Sequence, residues 1–337
     1  MKELYPWQNE SWQTLQSLRS RLPNAILLRG APGIGKLDLA VNFAQSLLCE
    51  SPRADGMACQ SCASCHWFAQ ESHPDYRLIQ SEALNAADDV EEKTSGKKPS
   101  KEISVAQIRQ LADFTNLSAY RGGYRVIVIH PAESMNVNSA NALLKTLEEP
   151  TDKLLFILVT HKPQQLLPTI LSRCLSISVP TPKAEVGSAW LSKQGVNQPE
   201  NALAESGFAP LLALQWQAAG DGATERSQLL NAISQPAQLD VLSLAESLQR
   251  SSPVVIVHCL QQWCYDLASA KLTGMVRYFP EQKMLLQKLS AVVPMMNLLS
   301  FQKELLLARK EAYHPLNARL KFEALLFSYR QLFAKAA

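Results

Sequence analysis

The sequence predicts an α/β domain on a five-stranded parallel sheet, followed by an all-helical second half. Three observations carry this. Short apolar runs alternate with helical patterns over residues 1–180, as strands joined by crossover helices do. A glycine-rich turn, Gly30-Ala-Pro-Gly-Ile-Gly-Lys36, stands between the first apolar run and the first helical one. Beyond Pro180-Thr-Pro182, apolar residues recur only at helical spacing.

The predicted strands are residues 25–28, 75–79, 125–129, 154–159 and 175–179. Nearly all are continuously apolar, as strands covered on both faces should be. A helix is predicted over 39–48 from the spacing of Leu39, Val41, Phe43, Ala44, Leu47 and Leu48. A second is predicted over 139–150, with a polar start and a proline stop. It should turn Ala142, Leu143 and Leu147 to the sheet, and Asn141, Lys145 and Glu148 to solvent. Residues 81–102 are rich in Asp, Glu, Lys, Ser and Ala, and are read as a solvated, mobile loop. After residue 182 the helical stretches are 203–216, 229–233, 241–248, 254–267, 284–293 and 298–333, punctuated by glycines and Pro253.

A chain of 337 residues exceeds one ordinary core, so two or three domains are expected. Its net charge of +3 is too small to argue for nucleic-acid binding by itself. No apolar run approaches the roughly 20 residues of a membrane span. The opening Met1-Lys-Glu-Leu-Tyr-Pro-Trp7 lacks the apolar centre of a signal peptide. A cytoplasmic protein with no membrane partner is therefore expected, and its seven cysteines point to metal rather than disulfides.

The turn at 30–36 has the strand-to-helix setting of a phosphate-binding loop, although a chance glycine-rich turn is the alternative. Gly30, Gly33 and Gly35 would let backbone N–H groups converge on phosphate oxygens, and Lys36 would reach the β- and γ-phosphates. Position 37 is Leu, where a hydroxyl should bind magnesium. The strand at 126–129 runs into His130-Pro131, where an Asp for the metal and a Glu for water are needed. Imidazole is a poor ligand for so hard an ion. The reading is a vestigial loop, with weak or no binding of ATP or ADP and no catalysis in cis.

Cys49, Cys59, Cys62 and Cys65 lie within one short segment, 49–65, with a C-x-x-C-x-x-C run. Four thiolates suit a closed, structural zinc site. Free thiols and an iron–sulfur cluster are the alternatives, and His66 is a possible substitute ligand. Cys174, Cys259 and Cys264 are read as buried apolar residues. Arg173, in Ser172-Arg-Cys174 before the fifth strand, is either a surface charge or a guanidinium directed at a neighbouring subunit's γ-phosphate, its place in oligomeric motor ATPases.

The order of phosphate loop, four-cysteine insertion, Asn141-Ala-Leu-Leu-Lys-Thr-Leu-Glu-Glu-Pro150, Phe156-Ile-Leu-Val-Thr160 and Ser172-Arg-Cys174 resembles the bacterial clamp-loader subunits of DNA polymerase III, the tau/gamma and delta-prime proteins. The resemblance is close over about the first half, and extends only to length and class beyond it. It implies an AAA+ domain at 1–180 with sheet order five-one-four-three-two, a helical lid at 181–222 and a helical collar at 223–337. It further implies a five-membered arc with delta and three tau/gamma subunits that opens the sliding clamp and places it on primed DNA. Arg173 would then act in trans on a neighbour's ATP. Leu37, His130-Pro131, the lack of an arginine in Ser206-Gly-Phe-Ala-Pro210, the opening Tyr5-Pro-Trp7 and the short C-terminus match the non-hydrolysing delta-prime branch. The retained glycines and lysine depart from it, since many delta-prime subunits degrade this loop further. The alternatives are an active tau/gamma-like ATPase and a zinc-containing DNA-binding module on a vestigial motor fold. Gln60, Ser61, Ala63 and Ser64 argue against the latter, because they bring no cation for phosphates.

Overall fold

The computed structural model describes residues 3–84, 100–116, 118–120, 123–219, 223–311 and 317–334. The chain forms two compact units, Met1–Val186 and Gly187–Ala337.

The first unit is built on five parallel strands: β1 (Ala25–Arg29), β2 (Tyr76–Ile79), β3 (Arg125–Ile129), β4 (Leu154–Thr160) and β5 (Leu175–Ser178). Their spatial order, β2-β3-β4-β1-β5, is the five-one-four-three-two order that the resemblance implied. Every residue of β3 and β4 is buried, and so is β1 except at Arg29. The two edge strands differ from the expectation of cover on both faces. In β5 only Ile177 is buried, and in β2 Arg77 and Leu78 are exposed. A strand at an edge has one neighbour, and Leu-Ser-Ile-Ser already alternates as a half-covered strand does. Ligands of open parallel sheets sit beyond the carboxyl ends of the strands, where the strand order reverses. Here that point is the end of β1, flanked by β4 and β5.

The helix predicted over 139–150 runs Val137–Glu148, because the Asn136 side chain accepts a hydrogen bond from the Ser139 N–H and caps it earlier. Leu143 and Leu147 are buried and Ala142 packs beside them, while Asn141, Lys145 and Glu148 are exposed as expected. Most of the loop expected at 81–102 lies outside the described residues. Its described flanks are tied together: the Ala83 N–H donates to the Ser100 carbonyl at 3.0 Å, and the Ser100 N–H to Glu82 Oε2 at 3.1 Å.

The second unit is helical around two cores. A small one holds Leu191, Val196, Leu203 and Ala213. A larger one runs from Leu229 to Leu332 and surrounds the 21-residue helix Pro253–Thr273. The stretch of helical spacing over 203–216, punctuated by Gly207, forms two helices, Pro199–Glu205 and Pro210–Ala219. Gly207 (φ 73°) and Phe208 (φ 63°) break it in the left-handed region. Likewise 298–333 resolves into Met295–Glu311 and Ala318–Gln331. The helix Ala184–Lys193 escaped the sequence reading. The expected boundary at 222/223 falls against residues 220–222, which lie outside those described. Among the described residues, no single helix is long and apolar enough to cross a membrane.

Trp263 anchors the larger core. Its Nε1–H donates to the Tyr329 hydroxyl at 2.9 Å, and that hydroxyl donates to the Ile233 carbonyl at 2.8 Å, so one chain of bonds joins three helices. Both side chains are fully buried. Trp263→Ala should cost about 3–5 kcal/mol, through the lost transfer energy and the cavity left behind. Urea denaturation of the full chain, followed by circular dichroism, checks this.

Candidate functional site

The four cysteines converge. Cys49 ends the helix Lys36–Leu48, Cys62 caps the helix Ala63–Ala69, and Cys65 lies in its first turn. The sulfurs of Cys49 and Cys62 are 3.9 Å apart, those of Cys59 and Cys65 are 4.0 Å apart, and all four lie within 4.8 Å of one another. Ligands at a Zn–S distance of about 2.3 Å in a tetrahedron are about 3.8 Å apart, so the cluster fits a metal ion such as zinc. Backbone N–H groups of Cys59, Cys62 and Cys65 donate to the sulfurs of Cys49, Cys59 and Cys62 at 3.2, 3.3 and 3.4 Å. Such bonds favour thiolate. Bonds from Ser61 and Cys62 pull the Cys59 thiol down to about 6, whereas burial pushes Cys49 and Cys65 up. His66 is exposed and outside the cluster. Cys259 and Cys264 are buried in the second unit, and Cys174 packs against the sheet core.

Two contacts fix this centre to the domain. The Trp12 indole N–H donates to the Asp55 carbonyl at 3.1 Å. The Ser64 hydroxyl donates to the Leu48 carbonyl at 2.6 Å and lies 2.9 Å from His73 Nε2. His73 Nδ1 accepts from the Asp75 N–H at 3.0 Å, so Nε2 carries the proton and donates to Ser64.

The glycine-rich turn at 30–36 joins β1 to the helix Lys36–Leu48, with Gly33 (φ 72°) and Gly35 (φ 80°) left-handed. An N-terminal strap lies against it. The Trp7 indole N–H donates to the Ile34 carbonyl at 3.0 Å, and Gln8 Nε2 to the carbonyls of Ile34 and Gly35 at 3.1 and 2.7 Å. The Tyr5 hydroxyl donates to Asp38 at 2.8 Å. A Cβ on Gly35 would lie 2.4 Å from the Tyr5 ring, so this position needs glycine for space as well as for φ. Lys36 is 2% exposed. Its Nζ donates to the Ala31 carbonyl at 2.5 Å and to His161 Nδ1 at 2.7 Å. Burial lowers its pKa to about 8, with Glu133 opposing.

Beyond β3 and β4, His130 and His161 meet edge to face, 5.3 Å between centroids. Burial first, then His161 and Lys36 for His130 and Lys36 and Lys162 for His161, holds both imidazoles near pKa 4, so they are neutral at pH 7. The Glu133 carboxylate accepts from the Thr160 hydroxyl at 2.7 Å and from the His161 N–H at 3.0 Å, so both of its oxygens hold the end of β4. Leu37 follows Lys36 in the first helical turn and offers no ligand atom.

Arg173 stands apart from these groups, at the end of the short helix Pro168–Leu171. Its Nη2 pairs with Glu148 Oε1 at 2.6 Å, and its Nη1 donates to the Thr169 carbonyl at 2.9 Å. The two side chains are 34% and 50% exposed. A pair so open to solvent is worth only about 0–1 kcal/mol.

Residues 7–183 match the family model described as DNA polymerase III, delta subunit. Along its length the chain is also similar to the DNA polymerase III subunit delta' of Pseudomonas aeruginosa, 34% identical with 98% of this chain and 99% of that protein covered. The chain belongs to the delta-prime family of clamp-loader subunits. Other delta-prime relatives match over less of their length: that of Bacillus subtilis is 34% identical over 47% of this chain and 43% of its own. The tau subunit of the same organism is 31% identical over 50% of this chain and 27% of tau. Among solved structures, a gamma subunit-related protein of Thermotoga maritima covers 97% of the chain at 18% identity and a TM-score of 0.48. In this chain the structure brings the four cysteines together and sets Gly30, Gly33, Gly35 and Lys36 at the end of β1, with Arg173 elsewhere. Sequence reasoning missed Gln8, Glu133, Glu148 and His161, whose partners lie far away along the chain. For the strap the only signal was Tyr5-Pro-Trp7.

Proposed function

We propose that the chain is a non-hydrolysing member of a clamp-loader complex, which supports ATP-dependent loading of the sliding clamp onto primer–template DNA and supplies Arg173 in trans. The observation that carries this is the pairing of Leu37 with His130, two places where magnesium chemistry needs oxygen ligands. Glu133 is held at the end of β4 by Thr160 and His161, and it comes after Pro131 rather than at the end of β3 where the base is needed. Arg173, 34% exposed and weakly held by Glu148, is available to a neighbour's phosphate. The partners proposed are tau/gamma and delta subunits in a five-membered ring, in the cytoplasm. The proposed division is an AAA+ domain at 1–180, a lid at 181–222 and a collar at 223–337. Zinc is the ion proposed for Cys49, Cys59, Cys62 and Cys65, where it cross-links the segment and does no catalysis.

The isolated chain should release no phosphate from ATP with magnesium, above the background of a Lys36→Met control. Leu37→Thr alone should not restore turnover, because position 130 still lacks a carboxylate. Steady phosphate release by that single variant would overturn the reading of position 130.

A further inference from the structure

Beyond that reading, we propose that His161 withholds the phosphate-loop lysine. Its Nδ1 takes from Lys36 the hydrogen bond that a phosphate oxygen would accept, and this keeps an intact anion cradle at low affinity for phosphate chains. The proposal does not depend on Arg173.

The cradle itself is well built. Gly33 and Gly35 hold their left-handed conformations, and Trp7 and Gln8 pin the Ile34 and Gly35 carbonyls from the strap. A loop fixed in this way loses little freedom on taking an anion. Its lysine is the part out of service. An ammonium has three protons, and two are committed, to Ala31 and to His161. Because an ammonium only donates, His161 Nδ1 must be the unprotonated nitrogen.

His161 is held in place from two sides. Its backbone N–H is tied to Glu133, and its ring stands at 86° against that of His130. The residue that removes the metal ligand is therefore also the one that props the ring against which Lys36 is bound. The loss at position 130 and the closure of Lys36 are one arrangement of packed side chains. Removing the imidazole would leave a buried lysine one bond short, and a phosphate oxygen would repair this with a charge-assisted bond.

The test uses the full chain and a fluorescent ATP analogue, titrated with magnesium and separately with EDTA. His161→Ala and His161→Leu should each bind the analogue about fivefold to tenfold more tightly than the parent, the worth of one net hydrogen bond. The gain should be the same with and without magnesium, since Leu37 supplies no ligand for it. It should vanish when Lys36→Met is added. Leucine keeps bulk against His130 without an acceptor, which guards against a collapsed alanine variant, and thermal melting verifies folding. Histidine-selective nitrogen NMR of the unaltered chain reads the contact without any substitution, and an unprotonated Nδ1 at neutral pH is expected. Three results would overturn the proposal: no tightening in either folded variant, a gain that survives Lys36→Met, or a protonated Nδ1.

Discussion

Arg173→Ala should leave the isolated chain folded and cut clamp loading by the assembled complex. The stability term is small, because the Arg173–Glu148 pair faces solvent and is worth only about 0–1 kcal/mol. The catalytic term is large. An arginine that meets a transferring phosphoryl group contributes about 10³ to 10⁵ in turnover at its own site. Bulk ATPase will show less, since only one of several sites in the proposed ring depends on this residue. Loading of the clamp onto primed DNA is the sharper assay, because it needs the whole cycle. Arg173→Lys should be nearly as defective, as an ammonium cannot reproduce the planar fork. Complex assembly and ATP binding should be unchanged in both variants. If Arg173 serves only Glu148, the complex of either variant will load clamps normally.

What the sequence disclosed and what it hid follow from the range of each interaction. β1, β3 and β4 were legible because burial on both faces demands an unbroken apolar run, a local property of the chain. The cysteine centre was legible because the ligands of a small tetrahedral site must lie close together, and Cys59, Cys62 and Cys65 do so in sequence. Leu37 and His130 stand out in the sequence because neither offers the oxygen ligand that a magnesium site uses. At 203–216 the sequence marked the break by Gly207 but not the left-handed Phe208, because apolar spacing continues from Leu203 to Trp216. His161 and Glu133 were hidden for a different reason. They reach Lys36 and each other across the carboxyl ends of β1, β3 and β4, over 125 and 28 residues of sequence. Nothing local marks a histidine after Thr160 as the partner of a lysine in the first crossover. The expectation of a solvated face for Glu148 was correct for exposure and silent on Arg173, which uses that exposure.

The four-cysteine cluster carries the other large effect. Freshly purified, reduced chain should contain about one zinc, and Cys62→Ser should abolish it. Apparent binding energies of structural zinc reach about 10–16 kcal/mol in small modules that fold only with metal. Here the cost should be local rather than global. The helix Lys36–Leu48 keeps Leu39, Ala40, Phe43 and Ala44 in the core whether or not Cys49 is bound. The segment 50–65 has less apolar support: Met57 is its one large buried side chain, and the cluster around the sulfurs consists of Ala58 and the cysteines themselves. Zinc removal should therefore release residues 50–65, with Asp55 leaving the Trp12 indole, while amide protection of β1, β3 and β4 persists. Hydrogen exchange before and after chelation distinguishes the cases. Protection lost throughout the sheet would make the metal a keystone of the whole domain, and unchanged protection at 50–65 would mean that the four thiols hold no structural ion.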